Sequence, residues 1–137
     1  MSVIKELLRA EADGTLSFGN YELDQKSKLS DFEFNGDLYK VKTFKEITKL
    51  ERNGMLVYES VPGTAVTGFK STDSEMIFNI EGIDNTQVTV EAEDGAEYKV
   101  YIDDVNAGKM QAKFGGKLVL SVEISTGSSS SVKIIKL

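Results

Sequence analysis

The chain has 137 residues, with 16 lysines and arginines against 22 aspartates and glutamates, so its formal net charge is −6. It contains no histidine, no cysteine and no tryptophan. The missing imidazoles and thiols exclude histidine-dependent catalytic triads, thiol nucleophiles, iron–sulfur clusters, disulfides, and zinc or haem sites built on those residues.

The remaining composition predicts a soluble domain without a nucleic-acid or membrane partner. Apolar residues make up 40% and charged residues 28%, enough for the core and surface of one compact domain or two very small ones. An acidic chain repels phosphate backbones. The first residues lack the apolar run of about 7–15 residues that a signal peptide needs, so we expect a cytoplasmic location.

The N-terminal segment predicts a β-hairpin of residues 3–12 and 15–22 that turns at Asp13 and Gly14. Apolar residues between positions 4 and 8 have helical spacing, so a short helix is the alternative. The Asp-Gly pair and the alternation that follows it favour the hairpin.

Two Asn-Gly pairs, Asn35-Gly36 and Asn53-Gly54, predict the next hairpins, because a type I′ turn needs positive φ at both central residues. Strand patterns surround them, over residues 38–44 and on both sides of Asn53-Gly54. A two-residue loop at the second pair sets the expected register: Arg52 opposite Met55, Leu50 opposite Val57, and Thr48 opposite Glu59.

The segment Val61-Pro62-Gly63-Thr64 predicts a type II turn, with proline second and glycine third. Because it holds the only proline, we interpret it as the boundary between two halves. Short strand patterns then recur at residues 65–70, 75–81, 86–92, 96–102, 106–112, 117–124 and 131–136, a spacing typical of a small sandwich.

The alternation within three of these strands predicts the core face. Its expected members are Val88, Val90, Ala92, Tyr98, Val100, Ile102, Leu118, Leu120, Val122 and Ile124.

The last third of the chain resembles the closing strands of immunoglobulin-like accessory domains of bacterial glycoside hydrolases. The similar segments are residues 96–103 (AEYKVYID), 107–110 (AGKM) and 116–124 (GKLVLSVEI). The resemblance implies an immunoglobulin-like β-sandwich at residues 61–137, preceded by an N-terminal β-meander at residues 1–60. The expected fold class is therefore all-β.

The chain also resembles a group of short proteins of anaerobic bacteria that carry the label endosialidase. This similarity is carried by residues 38–48 (LYKVKTFKEIT) and 58–66 (YESVPGTAV). Together the two resemblances imply glycan-related functions, a carbohydrate-binding module or a glycosidase.

Glycoside hydrolysis needs two carboxylates about 5–9.5 Å apart. Glu91 and Glu93 lie two residues apart in one strand pattern, about 6.5–7 Å from the strand rise. We interpret them as members of a solvated strand face, so no catalytic residue is assigned.

Glycan binding would use exposed tyrosines as stacking surfaces. The candidates are Tyr39, Tyr58, Tyr98 and Tyr101. Aspartates at Asp103-Asp104 and Asp94-Gly95 offer oxygens to Ca²⁺, but turn-forming aspartates explain them. No metal or cofactor is therefore predicted.

Two apolar runs, residues 55–58 without interruption and residues 76–80 with only Asn79 between apolar residues, exceed what one buried strand face can hold. Either both faces are covered within the fold or one face contacts a second copy, and the second interpretation is preferred. The expected self-association residues are Met55, Val57, Tyr58, Met76, Phe78 and Ile80. The sequence thus predicts a non-enzymatic structural or interaction protein that forms a homo-oligomer through strand faces or edges.

Overall fold

The computed structural model of the protein describes residues 3–126 and 128–137. Within this part of the chain all regular structure is β-strand. The strands are β1 (Leu8–Ala10), β2 (Leu16–Phe18), β3 (Ser27–Phe34), β4 (Asp37–Phe44), β5 (Ile47–Arg52), β6 (Met55–Val61), β7 (Ala65–Ser71), β8 (Glu75–Glu81), β9 (Thr86–Glu91), β10 (Glu97–Ile102), β11 (Val105–Gln111), β12 (Lys117–Val122) and β13 (Ser129–Lys136).

The strands form two antiparallel sheets packed face to face. The seven-stranded sheet has the order β1-β2-β7-β8-β13-β10-β11, and the six-stranded sheet has the order β12-β9-β6-β5-β4-β3. This confirms the all-β sandwich. Every strand predicted after residue 61 is present, with ends that differ by at most two residues.

The boundary at residue 61 does not separate two sheets. β1 and β2 join the seven-stranded sheet through β7, and β6 pairs with β9 in the six-stranded sheet. Of the seven strands after residue 61, five lie in one sheet and two in the other. The N-terminal meander is therefore shared between both layers, and the immunoglobulin-like connectivity of residues 61–137 stays a prediction.

The core lies between the two sheets and centres on an aromatic cluster. Phe18 and Phe78 from the seven-stranded sheet contact Tyr58 from the six-stranded sheet edge to face, at ring-centroid distances of 5.2 and 5.5 Å. Phe69 packs against both phenylalanines. The predicted core face is confirmed, with Ala92 and Ile102 at its partly buried periphery.

Both Asn-Gly pairs form the predicted turns, with positive φ at Asn35, Gly36, Asn53 and Gly54. Arg52 lies opposite Met55 as expected, but the rest of the predicted register is wrong by one residue.

A β-bulge at Val57 causes this shift, because Glu51 pairs with Leu56 whereas Leu50 pairs with Tyr58. Thr48 consequently lies opposite Ser60 instead of Glu59. The bulge lets two consecutive side chains, Val57 and Tyr58, point into the core.

The N-terminal hairpin is confirmed, since Leu8 pairs with Phe18 and Ala10 with Leu16. Its two strands have only three residues each and are shorter than the predicted segments 3–12 and 15–22. The predicted type II turn is wrong. Such a turn needs positive φ at its third residue, and Gly63 does not have it; the Val61–Pro62 peptide is cis. Gly63 is required for another reason, because a Cβ at this buried position would collide with the carbonyl oxygen of Phe44.

Asp103 and Asp104 both adopt positive φ, at 53° and 64°, in the turn between β10 and β11. Asp103 accepts a hydrogen bond from Ser131 N at 2.9 Å, so its side chain has a structural use. Glycine lacks the Cβ that makes this conformation costly, so Asp104→Gly should stabilise the fold by about 1 kcal/mol. Urea unfolding measures this, with Asp103→Gly as the comparison that also loses the Ser131 bond; a lower midpoint for Asp104→Gly would contradict it.

Candidate functional site

The structure corrects most of the expected self-association surface. Met76, Phe78 and Ile80 alternate inward along β8, and the bulge turns Val57 and Tyr58 inward as well. These five side chains are core residues of a single chain and offer no surface to a second copy. Met55 alone is exposed, at 66% of its area.

Glu91 and Glu93 line an open cleft of about 450 Å³ at one end of the sandwich. Glu91 ends β9 and Glu93 lies in the following loop, so the two do not share a strand. Arg52 Nη2 lies 2.8 Å from Glu91 Oε1, and Lys136 Nζ lies 2.8 Å from Glu93 Oε1. Each carboxylate is thus held in an ion pair with a basic side chain, Glu91 with Arg52 and Glu93 with Lys136.

The tyrosines do not form a stacking surface for sugars. Tyr39, Tyr58 and Tyr98 are buried, and the Tyr98 hydroxyl accepts a hydrogen bond from Glu93 N at 2.8 Å. Tyr101 is half-buried, and Lys99 Nζ lies 5.8 Å from its ring centroid. Of these four candidates, Tyr101 alone keeps part of its ring exposed.

A buried cluster of hydroxyl groups lies where β5 and β6 meet the start of β7. Thr64 Oγ1 hydrogen-bonds Tyr58 OH and Ser60 Oγ, each at 2.8 Å. Thr48 Oγ1 accepts from Thr64 N at 3.0 Å and donates to Thr64 O at 2.8 Å. Burial raises the pKa of the Tyr58 phenol. Because each hydroxyl of the cluster is hydrogen-bonded, we assign it to structure.

Tyr21 and Glu81 form a second buried polar contact. The Tyr21 hydroxyl donates to Glu81 Oε2 at 2.9 Å. Burial, with the neighbouring carboxylate, raises the pKa of Tyr21 to about 12. The contact joins the N-terminal segment to the end of β8, which again indicates a structural role.

β12 forms one edge of the six-stranded sheet. Its six residues pair with β9 without any register shift. Ala92 N donates to Gly116 O, and hydrogen-bonded pairs alternate along an antiparallel ladder, so the backbone groups of Val119 and Ser121 point to the open edge. Among residues 3–126 and 128–137, hydrogen bonds to this side of the edge are seen only at its first position, where Lys117 pairs with Lys113 N and O.

The other three edge strands carry features that hinder further pairing. β1 has only three residues. β3 contains a register shift with Asp31 at positive φ, and β11 contains one where Gly108 follows an unpaired Ala107. Bulges and short edges are devices by which sheet proteins avoid edge-to-edge association. β12 is therefore the edge best suited to accept another strand.

Exposed apolar side chains occur at both ends of the β12 edge and in its middle. Phe114 is 80% exposed at one end, Val119 is 42% exposed in the middle, and Ile83 is 56% exposed at the other end. Ile83 belongs to the loop between β8 and β9, and its carbonyl accepts a hydrogen bond from Thr126 Oγ1 at 3.0 Å, close to where β12 ends.

The charged side chains differ between the two ends of the β12 edge. Lys113 and Lys117 flank Phe114, whereas Glu123 directly follows the last residue of β12 and Asp84 directly follows Ile83. One end of the β12 edge is thus basic and the other acidic, each beside an exposed apolar side chain.

The sequence predicted strand β12 but not its position at the edge of a sheet. The alternation at residues 117–124 identified the buried Leu118, Leu120 and Val122 correctly. That β12 ends a sheet depends on strand order, which local patterns do not encode. The one available signal was a phenylalanine within the turn-like sequence Lys113-Phe114-Gly115-Gly116, where an apolar side chain cannot easily reach a core.

Within residues 3–126 and 128–137, no helix is long and apolar enough to cross a membrane, and no three or more acidic side chains are grouped so that they could hold a metal ion. Comparison of the chain with protein-family models, curated proteins and solved structures finds no match.

Proposed function

We propose that the protein is a non-enzymatic interaction protein that self-associates by pairing β12 with β12 of a second copy. The observation that carries this proposal is the bulge-free β12 edge, with the backbone groups of Val119 and Ser121 turned outward. Antiparallel pairing about a twofold axis would satisfy these groups and join two six-stranded sheets into one.

The order of side chains along the edge supports an antiparallel arrangement. In such a pair the basic end of one copy lies beside the acidic end of the other. Lys117 then approaches Glu123 of the second copy, and Phe114 approaches Ile83 of the second copy. A parallel arrangement would instead bring like charges together, which is unfavourable.

Val119→Lys should abolish self-association. The substitution places an ammonium on each side of the twofold axis, in the middle of the pairing edge. With Lys117 opposite Glu123 the two new lysines lie diagonally across the axis, and this proximity of like charges disfavours strand pairing. Light scattering across a dilution series measures the mass of the full chain. We expect an oligomer for the parent and a monomer for the variant.

The matched control is Val105→Lys, which changes a valine that is 67% exposed on the bulged edge strand β11. It should keep the parental mass, and both variants should keep the parental unfolding midpoint under conditions where each is monomeric. A parent that is monomeric at every concentration, or a Val119→Lys variant that keeps the oligomeric mass, would refute the proposal.

A charge exchange tests the antiparallel orientation separately. Lys117→Glu or Glu123→Lys alone should weaken association by placing like charges near each other, and the double variant should restore it. Failure of the double variant to recover would argue against this register even if Val119→Lys behaves as expected.

A further inference from the structure

Three lysines lie side by side on the outer face of the six-stranded sheet, away from the β12 edge. Together with a fourth, Lys40, they form what we call the lysine row. Lys28 of β3 pairs directly with Lys42 of β4, which pairs directly with Lys49 of β5. Lys40 lies two residues from Lys42 on the same face of β4, since the intervening Val41 is buried. With Glu51 these residues line a shallow recess of about 80 Å³.

The lysine row contains two like-charge pairs, Lys28 with Lys42 and Lys42 with Lys49, beside two opposite-charge pairs, Lys40 with Glu51 and Lys49 with Glu59. Like charges directly opposite each other on neighbouring strands destabilise a sheet. Among the described residues, only Lys49 of the four has a carboxylate within ion-pair distance, at 3.4 Å from Glu51. The chain has more acids than bases, so the folded structure concentrates positive charge where the composition does not require it.

We propose that the lysine row binds a multivalent phosphate anion. Neighbouring strands are about 4.8 Å apart, so the three opposed lysines span about 10 Å and can contact several oxyanion groups of one ligand. The recess is lined by lysines and one glutamate, with no aromatic ring to stack a base and no apolar side chain to hold a peptide. A compact ligand held by charge alone fits this lining best.

The probe is inorganic tripolyphosphate, titrated into the full chain at low ionic strength by calorimetry and by thermal unfolding. The parent should bind it, unfold at a higher temperature in its presence, and lose affinity as salt is added. Lys42→Gln removes the central lysine and should weaken binding about tenfold or more.

The same variant also tests how the lysine row affects the stability of the protein without ligand. Without tripolyphosphate, Lys42→Gln should unfold at the same or a higher temperature than the parent, because it relieves repulsion from both neighbouring lysines. A lysine with only a structural role would instead lower the unfolding temperature when replaced.

Lys133→Gln is the matched control, an exposed mid-strand lysine on the other sheet. It should leave the affinity unchanged. Absence of binding by the parent, or equal losses for Lys42→Gln and Lys133→Gln, would overturn the proposal. Binding of monophosphate as tight as tripolyphosphate would also overturn it, as would tighter binding of a short single-stranded oligonucleotide.

Discussion

Gly63→Ala is expected to lower the free energy of unfolding by about 3 kcal/mol. Gly63 is buried between β6 and β7, and its N–H donates to Lys45 O at 3.0 Å. A methyl group here would meet the carbonyl oxygen of Phe44 and approach that of Ile47 to 3.3 Å. Both obstacles are backbone atoms, so rotamer changes cannot relieve the collision and the β4–β5 hairpin would have to move.

Urea unfolding followed by circular dichroism measures the loss, at protein concentrations where all variants have the same mass. Gly82→Ala is the control, because Gly82 is also buried, but its new methyl group would find only ordinary contacts of 3.5 to 3.6 Å. We expect the control to change stability by less than about 1 kcal/mol. Equal costs for the two variants would show that the Phe44 carbonyl is not the cause.

The fold was predictable from sequence wherever local chemistry decides it. Asn53-Gly54 determines a type I′ turn because its two residues accept positive φ, and the pairing of Arg52 with Met55 follows at once. The alternation of Val88 and Val90 identifies a buried strand face in the same local way.

The register beyond Arg52 was not predictable, because its cause is tertiary. The bulge at Val57 places Tyr58 between Phe18 and Phe78, two residues of the opposite sheet. No pattern within residues 46–61 signals those partners. The same bulge explains why the apolar run at residues 55–58 suggested an external contact surface when two of its members are core residues.

For the candidate site, too, some features could be predicted from the sequence and others could not. The side chains that line the β12 edge are local features of the sequence, and the alternation that identified Leu118 and Leu120 as core residues leaves Val119 on the opposite face. Which strands end a sheet is decided by the packing order of all thirteen strands. The lysine row likewise appears only when Lys28 and Lys49, separated by 21 positions in sequence (49 − 28), are aligned beside Lys42.

Thr64→Val should lower the free energy of unfolding by about 2 kcal/mol although it changes the side-chain volume little. The substitution removes the hydroxyl that bonds Tyr58 OH and Ser60 Oγ, and both of those groups are buried. The two backbone bonds between Thr64 and Thr48 Oγ1 remain. The loss therefore comes from buried polar groups left with fewer partners.

This explanation predicts that the stability losses of the single substitutions at the cluster do not add up. A triple variant combines Thr64→Val with Tyr58→Phe and Ser60→Ala, so it removes the two hydroxyls that would otherwise lose their hydrogen-bond partner. It should therefore lower the free energy of unfolding by clearly less than the sum of the three single changes. Thr89→Val is the control, a half-buried threonine on the outer face of β9 that should change stability by no more than about 0.5 kcal/mol. Additive costs in the triple variant would mean that packing, rather than hydrogen bonding, makes Thr64 important.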